Sequence, residues 1–367
     1  MNLQTLHVAS FRNLTDQSVD FGSGFNYLHG ANGAGKTAIL EAIHLLARGR
    51  SFRTSRASTM IQTDHPLLVV RGEVALESGQ HQVMAMSKSR SGKTELKLNG
   101  VAEARASRLA KLLPVQTLLP DAAELVLGGP GRRRAFLDWG VFHVEPRFVD
   151  NARNYRRVLL QRNAWLKSLA GEDVGVGKDP WFEQLCTLGS ALSEQRQAYL
   201  GELQSLFQNT LRKLSPAMTV RLEYEWGGLQ GLSVAEKKLS ESWPRDVKFG
   251  MTHRGPHRAD LLFMTADQVA AETASRGQAK LISSAAILAQ AELLYTHSNA
   301  KSLFLIDDFG AELDAEHWHH FLSTLLELEC QVIATSTDPL DESQQWVKGL
   351  SSLQVFHVEH GNIARAH

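Results

Sequence analysis

Apolar and polar residues alternate at the start of the chain as they do in β-strands. The alternation covers residues 3–8 and 17–28, and its second part ends at Tyr27 and Leu28, directly before a glycine-rich turn. From Thr37 the spacing of apolar residues becomes that of an amphipathic helix, which ends at Gly49, a residue suited to a helix C-cap. The opening segment is therefore predicted to be strand, turn and helix.

The middle of the chain has a different, mainly helical pattern. The elements predicted after the first helix are strands at 67–76, 81–87 and 94–98, a helix at 103–113, helical sequence over 122–214, a strand at 218–226 and a short helix near 233–242. Within the helical stretch, one helix begins near Asn151 and a second covers roughly 181–214. Residues 171–180 between them form a glycine-rich loop.

The strand–turn–helix rhythm returns in the last third of the chain. Strands are predicted at 261–264, 302–309 and 331–337, and helices at 277–297 and 315–328. We interpret the whole as an α/β protein in which both ends of the chain build one lobe. That lobe is assigned to residues 1–115 and 246–367, and a mostly helical lobe, residues 116–245, is inserted between them.

Composition and charge give limited functional information. Hydrophobic residues make up 43% of the chain and charged residues 21%, which is an ordinary globular composition. Lys and Arg together number 39, as do Asp and Glu, so the net charge is zero. Nucleic-acid binders usually carry a basic excess, so only local basic patches favour DNA binding here.

Three other classes of protein are not favoured. No run of about 18 apolar residues exists for a membrane span, and residues 1–14 lack the apolar run of a signal peptide. Cys186 and Cys330 are 144 positions apart and form no CxxC pair, so neither a disulfide framework nor a zinc site is indicated. We expect a cytoplasmic protein.

The glycine-rich turn matches the phosphate-binding pattern GxxxxGK[ST]. Its residues are Gly30, Ala31, Asn32, Gly33, Ala34, Gly35, Lys36 and Thr37. In such a loop the backbone N–H groups surround phosphates at a helix N-terminus, the lysine reaches the β- and γ-phosphates, and the threonine hydroxyl binds Mg²⁺. Because a predicted strand precedes the loop and a predicted helix follows it, we predict a site for ATP and Mg²⁺.

A second motif supplies carboxylates. The apolar residues 303–306 are followed by Asp307 and Asp308, as in a buried parallel strand that brings acidic groups to the phosphate edge of a sheet. Asp307 is predicted to hold Mg²⁺. Asp308 is predicted to be catalytic together with Lys36, by orienting or deprotonating the attacking water.

Residues Ser275, Gly277 and Gln278, at the start of a predicted helix, resemble the signature motif of ABC-type ATPases. The resemblance implies contact with the γ-phosphate of ATP held by a second copy, and hence an ATP-dependent homodimer. Ala274 and Arg276 depart from the usual motif, and alone the segment is more typical of a plain helix N-cap. Its place between the phosphate-binding loop and the carboxylate strand favours the signature motif. Residues 310–314 resemble the D-loop of the same superfamily.

Over nearly the whole chain the sequence resembles the RecF family of SMC-type ATPases. The strings that carry the resemblance are residues 11–13, 40–53, 120–121, 128–139, 253–260 and 305–314. The resemblance implies a Rad50-head-like ABC/SMC fold with weak, DNA-dependent ATP hydrolysis. It also implies binding to double-stranded DNA and to single-strand/double-strand junctions in gap repair, replication and the SOS response. RecR and RecO are the implied partners in loading RecA.

Two other functions stay open. One is the nucleotide-binding subunit of an ABC transporter, although the 239 positions from Lys36 to Ser275 make a longer insertion than such subunits have. The other is an ATP-dependent scaffold that does not hydrolyse. Asp308 in place of the usual glutamate, and Thr335 to Thr337 without a switch histidine, favour slow hydrolysis.

Several polar residues have two interpretations each. By resemblance to SMC-type heads, Arg12 contacts the nucleotide phosphates; otherwise it is a surface arginine. Gln116 is a candidate for the glutamine that senses Mg²⁺. The candidate DNA contacts are Arg132, Arg133, Arg153 and Arg157. The alternative for the first two is an ion pair with Asp121 or Asp138, and for the last two a solvated helix face.

Overall fold

The computed structural model describes residues 1–172, 174–310, 315–343, 345–350 and 352–366. The strands are β1 (Asn2–Ala9), β2 (Gln17–Asp20), β3 (Phe25–His29), β4 (Leu67–Ala75), β5 (His81–Ser89), β6 (Thr94–Leu98), β7 (Val101–Glu103), β8 (Val115–Leu118), β9 (Arg221–Glu225), β10 (Asp260–Thr265), β11 (Gln268–Val269), β12 (Leu303–Ile306), β13 (Gln331–Ser336), β14 (Leu353–Glu359) and β15 (Asn362–Arg365). The helices are α1 (Lys36–Arg48), α2 (Ala106–Leu112), α3 (Glu124–Leu127), α4 (Pro130–Val144), α5 (Phe148–Ser168), α6 (Phe182–Leu214), α7 (Leu232–Phe249), α8 (Ala270–Thr273), α9 (Arg276–Ser298), α10 (Ala315–Glu327) and α11 (Gln345–Lys348). Short 3₁₀ turns lie at Ala57–Thr59, Val176–Lys178 and Pro256–Arg258.

Two compact units divide the chain. The first consists of residues 1–122 and 291–367, and the second of residues 123–290. The predicted boundaries lie after residues 115 and 245. The second boundary differs because β9 pairs along its whole length with residues 260–264 of β10, which attaches this strand to the second unit.

A mainly parallel sheet in the first unit has the strand order β15-β14-β3-β13-β12-β8. From β14 to β8 the neighbouring strands are parallel, and β15 pairs antiparallel with β14. All residues of β12 and β13 are buried, in keeping with their apolar sequences. The carboxyl ends of β3, β8, β12 and β13 consequently meet at one edge of this sheet.

A second sheet of the first unit is antiparallel, with the order β2-β1-β4-β5-β6-β7. Helix α1 is buried from Ala38 to Ala47, and its apolar side chains belong to a core shared with residues of both sheets, among them Leu6, Val70 and Ile333. Burying such side chains contributes about 1.5–3 kcal/mol each. This packing fixes α1, and with it the loop that precedes the helix.

The second unit combines long helices with the sheet β11-β10-β9. In its interior Arg162 is fully buried and forms ion pairs with Asp179 (2.6 Å) and Asp246 (2.8 Å). Buried charges need such partners, because an unpaired charge away from water is very costly. Among the described residues, no helix combines the length and apolar character needed to cross a membrane.

Candidate nucleotide-binding site

The carboxyl edge of the parallel sheet carries a cleft of about 300 Å³ in the first unit. Its lining residues are Asn13, Asn32, Gly33, Gly35, Lys36, Thr37, Ala38, Arg53, Pro120, Asp307, Asp308, Thr335 and Thr337. Four of the five parallel strands supply part of the lining, since Lys36, Pro120, Asp307 and Thr337 all follow a strand end closely. The cleft lies where ligands of open α/β sheets bind.

The glycine-rich loop has the backbone that phosphate binding requires. It links β3 to α1 and passes through the left-handed region at Gly33 (φ 81°) and Gly35 (φ 119°), where glycine is favoured. Helix α1 begins at Lys36, so its N-terminal N–H groups lie at the cleft. A helix N-terminus preceded by such a loop attracts anions through its dipole and its unpaired donors.

Lys36 lies over the loop and holds two of its carbonyls. Its Nζ donates to the carbonyl oxygens of Gly30 (2.6 Å) and Ala31 (2.9 Å). Burial lowers the pKa of Lys36 from its ordinary value, while the carboxylates of Asp307 and Asp308 act in the opposite direction. Lys36 lines the same cleft as these two carboxylates.

Thr37 and Asp307 both line the cleft, and their side chains are within hydrogen-bonding distance. The Thr37 hydroxyl lies 3.0 Å and 3.1 Å from the two carboxylate oxygens of Asp307. Thr335 supports this carboxylate by donating its hydroxyl hydrogen to Oδ1 at 2.7 Å. The Asp307 backbone N–H donates to the Leu118 carbonyl (3.0 Å), which ties the carboxylate to β8.

These oxygens fit a magnesium ion. Neighbouring ligands of octahedral Mg²⁺ are about 3.0 Å apart when each lies about 2.1 Å from the ion, close to the separations between Thr37 and Asp307. Among the described residues, no group of three His, Cys, Asp or Glu side chains could hold a metal. A site with one carboxylate and one hydroxyl suits an ion that also binds substrate phosphates and water.

Asp308 follows at the cleft in a constrained backbone conformation. Its φ of 59° is uncommon for a residue other than glycine, and its N–H donates to the Thr335 hydroxyl at 3.0 Å. One threonine thus supports both acidic residues. The structure brings Asp308 to the same cleft as Lys36, as the proposed catalytic roles require.

Two predicted site residues have other partners in this structure. Arg12 forms a two-pronged ion pair with the buried Glu41 (2.9 and 2.7 Å) and donates to the Thr59 carbonyl. Gln116 is buried within β8, where it is paired with Phe304. The predicted contacts of Arg12 with phosphate and of Gln116 with Mg²⁺ therefore stay predictions.

The signature segment lies in the second unit, at the exposed start of α9. The N–H of Gln278 donates to Ser275 Oγ (3.2 Å), and the N–H of Ser275 donates to Gln278 Oε1 (2.9 Å), which is a capping box. The capping box is what the plain N-cap interpretation predicts, and the contact of this segment with a γ-phosphate stays a prediction. Of the predicted D-loop, residues 311–314 lie outside the described residues.

The arginines proposed to contact DNA fall into two groups. Arg133 is buried and its guanidinium pairs with Asp260 (2.8 and 2.7 Å). Burial contradicts the predicted DNA contact of Arg133, and its partner is Asp260 rather than Asp121 or Asp138. Arg132, Arg153 and Arg157 are exposed, the last two on one face of α5.

Six residues that line the cleft were not among the predicted site residues. They are Asn13, Ala38, Arg53, Pro120, Thr335 and Thr337. Asn13, Arg53 and Pro120 stand in strings that resemble the RecF family but had no assigned role. Thr335 and Thr337 were identifiable in principle, because parallel strands that neighbour each other end at the same sheet edge.

Comparisons of sequence agree with this geometry. A family model described as "RecF/RecN/SMC N terminal domain" matches residues 2–362. The chain is 37% identical over 369 residues to the DNA replication and repair protein RecF of Pseudomonas syringae pv. tomato, and 100% of this chain and 99% of the relative are covered. Identity and coverage are the same for the protein of that name from Pseudomonas fluorescens strain SBW25.

Comparisons of structure confirm the predicted ABC/SMC-type α/β fold. A solved structure of "the recombination mediator protein RecF-ATP in RecFOR pathway" superimposes with a TM-score of 0.87 at 26% identity, covering 100% of this chain and 97% of that one. An SMC head bound to the C-winged helix domain of ScpA has a TM-score of 0.58 at 17% identity, covering 100% and 98%. The second likeness concerns the fold alone.

Proposed function

Since the chain belongs to the RecF family, we propose that it is an ATP-dependent DNA-binding clamp for the recombinational repair of single-strand gaps. The observation that carries the proposal is the pairing of Thr37 with Asp307 beneath the phosphate-binding loop. It joins two motifs that are 270 positions apart into one site with the chemistry of nucleotide and Mg²⁺ binding.

The residues of the cleft would have different roles in hydrolysis. Mg²⁺, when bound, neutralises charge on the phosphates, and Thr37 and Asp307 would hold it. Lys36 would exchange its two loop carbonyls for phosphate oxygens. Asp308 would orient the attacking water or accept its proton.

Hydrolysis is proposed to be slow. An aspartate reaches less far than a glutamate, and the Asp308 backbone is held in place by Thr335, so a water must come close to be deprotonated. We propose that bound ATP works as a timer: its binding closes two copies around DNA, and its hydrolysis releases them. A turnover above about 10 s⁻¹, the typical enzyme value, would contradict this.

Dimer formation would use the exposed start of α9. Ser275 and Gly277 offer a helix N-terminus to the γ-phosphate held by a second copy. Arg132, Arg153 and Arg157 are the remaining candidates for contacts with DNA phosphates. Double-stranded DNA and single-strand/double-strand junctions are the proposed targets, and RecR and RecO the proposed partners in loading RecA. Roles in replication and the SOS response, and a cytoplasmic location, complete the proposal.

Binding of a gapped duplex tests the proposal. We expect the protein to bind a duplex with a single-strand gap in the presence of ATP and Mg²⁺, and Lys36→Met and Asp307→Asn to lose the ATP-dependent part. Lys97→Met, at an exposed position of β6, is the control for the loss of one positive charge. Equal binding with and without ATP by the unchanged protein would contradict the clamp.

A further inference from the structure

The carbonyl groups of the phosphate-binding loop need partners behind the loop. A loop that turns its N–H groups toward an anion turns carbonyls away from it, and those carbonyls must also be satisfied. Lys36 now holds the Gly30 and Ala31 oxygens. This arrangement is provisional, because the same ammonium group is expected to bind phosphate once a nucleotide enters.

Two other loop carbonyls are held by groups that lie outside the loop. The Gly33 oxygen accepts from Asn13 Nδ2 at 2.8 Å. The Ala34 oxygen accepts from the backbone N–H of Gly361 at 2.8 Å. Gly361 lies in the turn between β14 and β15, at the far end of the sequence from the loop.

From these contacts we propose that the β14–β15 turn, centred on Gly361, is a positioning element of the nucleotide site. It fixes the back of the phosphate-binding loop so that the N–H groups of the loop point into the cleft. The inference rests on the proposed ATP binding, and it adds a supporting role for the β14–β15 turn.

The turn is itself held firmly from the side of β2. Gln17 brackets it: its Nε2 donates to the Gly361 carbonyl (2.6 Å), and its Oε1 accepts from the Ile363 N–H (2.9 Å). The Thr15 N–H also donates to the Gly361 carbonyl, at 3.0 Å. Both polar groups of the Gly361 backbone are therefore engaged, one by the loop and one by the segment after β1.

Two glycines, Gly361 in the turn and Gly30 in the loop, lie so close to neighbouring backbone that neither position has room for a side chain. A Cβ on Gly361 would lie 1.9 Å from the Asn13 carbonyl oxygen, and Gly361 has a φ of 80°. On the loop, a Cβ on Gly30 would lie 2.1 Å from the Val358 carbonyl oxygen. Since neither oxygen is at the end of a flexible side chain, a methyl group on Gly361 must displace the turn or the backbone of Asn13. Displacing the turn moves the Gly361 N–H away from the Ala34 carbonyl, and Asn13 is the residue that holds the Gly33 carbonyl.

Gly361→Ala is the direct test, and Gly100→Ala is its matched control. Gly100 also has a φ of 80° and lies in a turn of the same unit, but nothing stands within 4 Å of its Cβ position. Both variants carry the general cost of alanine in left-handed backbone. Only Gly361→Ala disturbs the loop, so the difference between them isolates the positioning effect.

We expect Gly361→Ala to weaken binding of a fluorescent ATP analogue with Mg²⁺ by about tenfold relative to Gly100→Ala, which corresponds to about 1.4 kcal/mol. KM for ATP should rise by a similar factor while kcat changes less, because the turn supports binding rather than the groups that act on water. Equal affinities for the two folded variants would overturn the proposal.

Gln17→Met provides a second route if Gly361→Ala does not fold. It keeps a side chain of similar length and removes both hydrogen bonds to the turn, without a clash. We expect a smaller loss of ATP affinity, about threefold, with a circular dichroism spectrum like that of the unchanged protein. Unaltered affinity in folded Gln17→Met would also overturn the proposal. Failure of the unchanged protein and of Gly100→Ala to bind ATP would instead refute the proposed function.

Discussion

Replacing Arg133 by methionine removes the cation from a buried ion pair in the second unit. The guanidinium forms two hydrogen bonds with Asp260 (2.8 and 2.7 Å) and also donates to the carbonyls of Val126 and Gly128. Methionine fills much of the same space, so the change tests charge and hydrogen bonding more than volume.

The expected loss of stability depends on the partners that Asp260 keeps after the substitution. Asp260 is only 6% exposed, and after the change its carboxylate keeps the Leu261 N–H as a donor (2.8 Å) but loses its ion-pair partner, with Arg134 left as a nearby positive charge. Removing one partner of a buried pair costs about 3–5 kcal/mol. Neighbouring Arg132 is exposed, and for Arg132→Met we expect a change within about 0.5 kcal/mol.

Urea denaturation followed by tryptophan fluorescence measures the difference between the two variants. In the double variant Arg133→Met/Asp260→Asn, part of the lost stability should return, because no uncompensated charge is then buried. If Arg133→Met lowered the free energy of unfolding by less than about 1 kcal/mol, as Arg132→Met is expected to do, the reasoning would be refuted. The reasoning would also be refuted if folded Arg133→Met bound DNA with a smaller salt dependence. A fall of about one in the slope of the logarithm of the binding constant against the logarithm of the salt concentration would mean that Arg133 contacts a DNA phosphate.

Three further predictions concern catalysis, pH and DNA. Asp308→Asn should lower ATP turnover about 100-fold or more, measured as phosphate release, and leave ATP affinity nearly unchanged; undiminished turnover would favour a different base. Burial lowers the pKa of His257 to about 4, whereas the pKa of a histidine in the unfolded chain is about 6.5. Between these two values only the unfolded chain binds the proton. The free energy of unfolding therefore falls by up to about 1.4 kcal/mol per pH unit as the pH drops from about 6.5 toward 4. In His257→Gln the stability measured by thermal unfolding should depend less on pH over this range. The same pH dependence in the variant and in the unchanged protein would contradict the prediction. Arg153→Gln/Arg157→Gln should weaken DNA binding and lower its salt slope by about two; an unchanged slope would mean that this face of α5 is only solvated.

Contiguous motifs explain why the centre of the site was predictable. The residues from Gly30 to Thr37 form one uninterrupted pattern, and Asp307 follows a run of apolar residues typical of a buried strand. Each of these signals is local in sequence. The parallel sheet then brings them to the same edge, where the Thr37 hydroxyl and the Asp307 carboxylate are within hydrogen-bonding distance.

Long-range partners were not predictable in the same way. Arg133 and Asp260 are 127 positions apart, and no local pattern indicates that they pair. Arg12 likewise pairs with Glu41 on α1, a helix whose apolar spacing does not reveal the role of its buried carboxylate.

The second boundary between the units was missed for a related reason. Strand–helix rhythm predicts that residues 260–265 form a strand, but not which sheet the strand joins. Its partner β9 is an equally short segment with alternating burial. The strands β14 and β15 were not predicted, and with them the turn behind the phosphate-binding loop.

The most direct test of the clamp is sedimentation velocity with and without ATP and Mg²⁺, on the unchanged protein and on Lys36→Met. We predict a monomer without nucleotide, a dimer with ATP and Mg²⁺, and a monomer under both conditions for Lys36→Met. A monomer for the unchanged protein at saturating ATP would contradict the central claim, as would a dimer that forms equally without nucleotide.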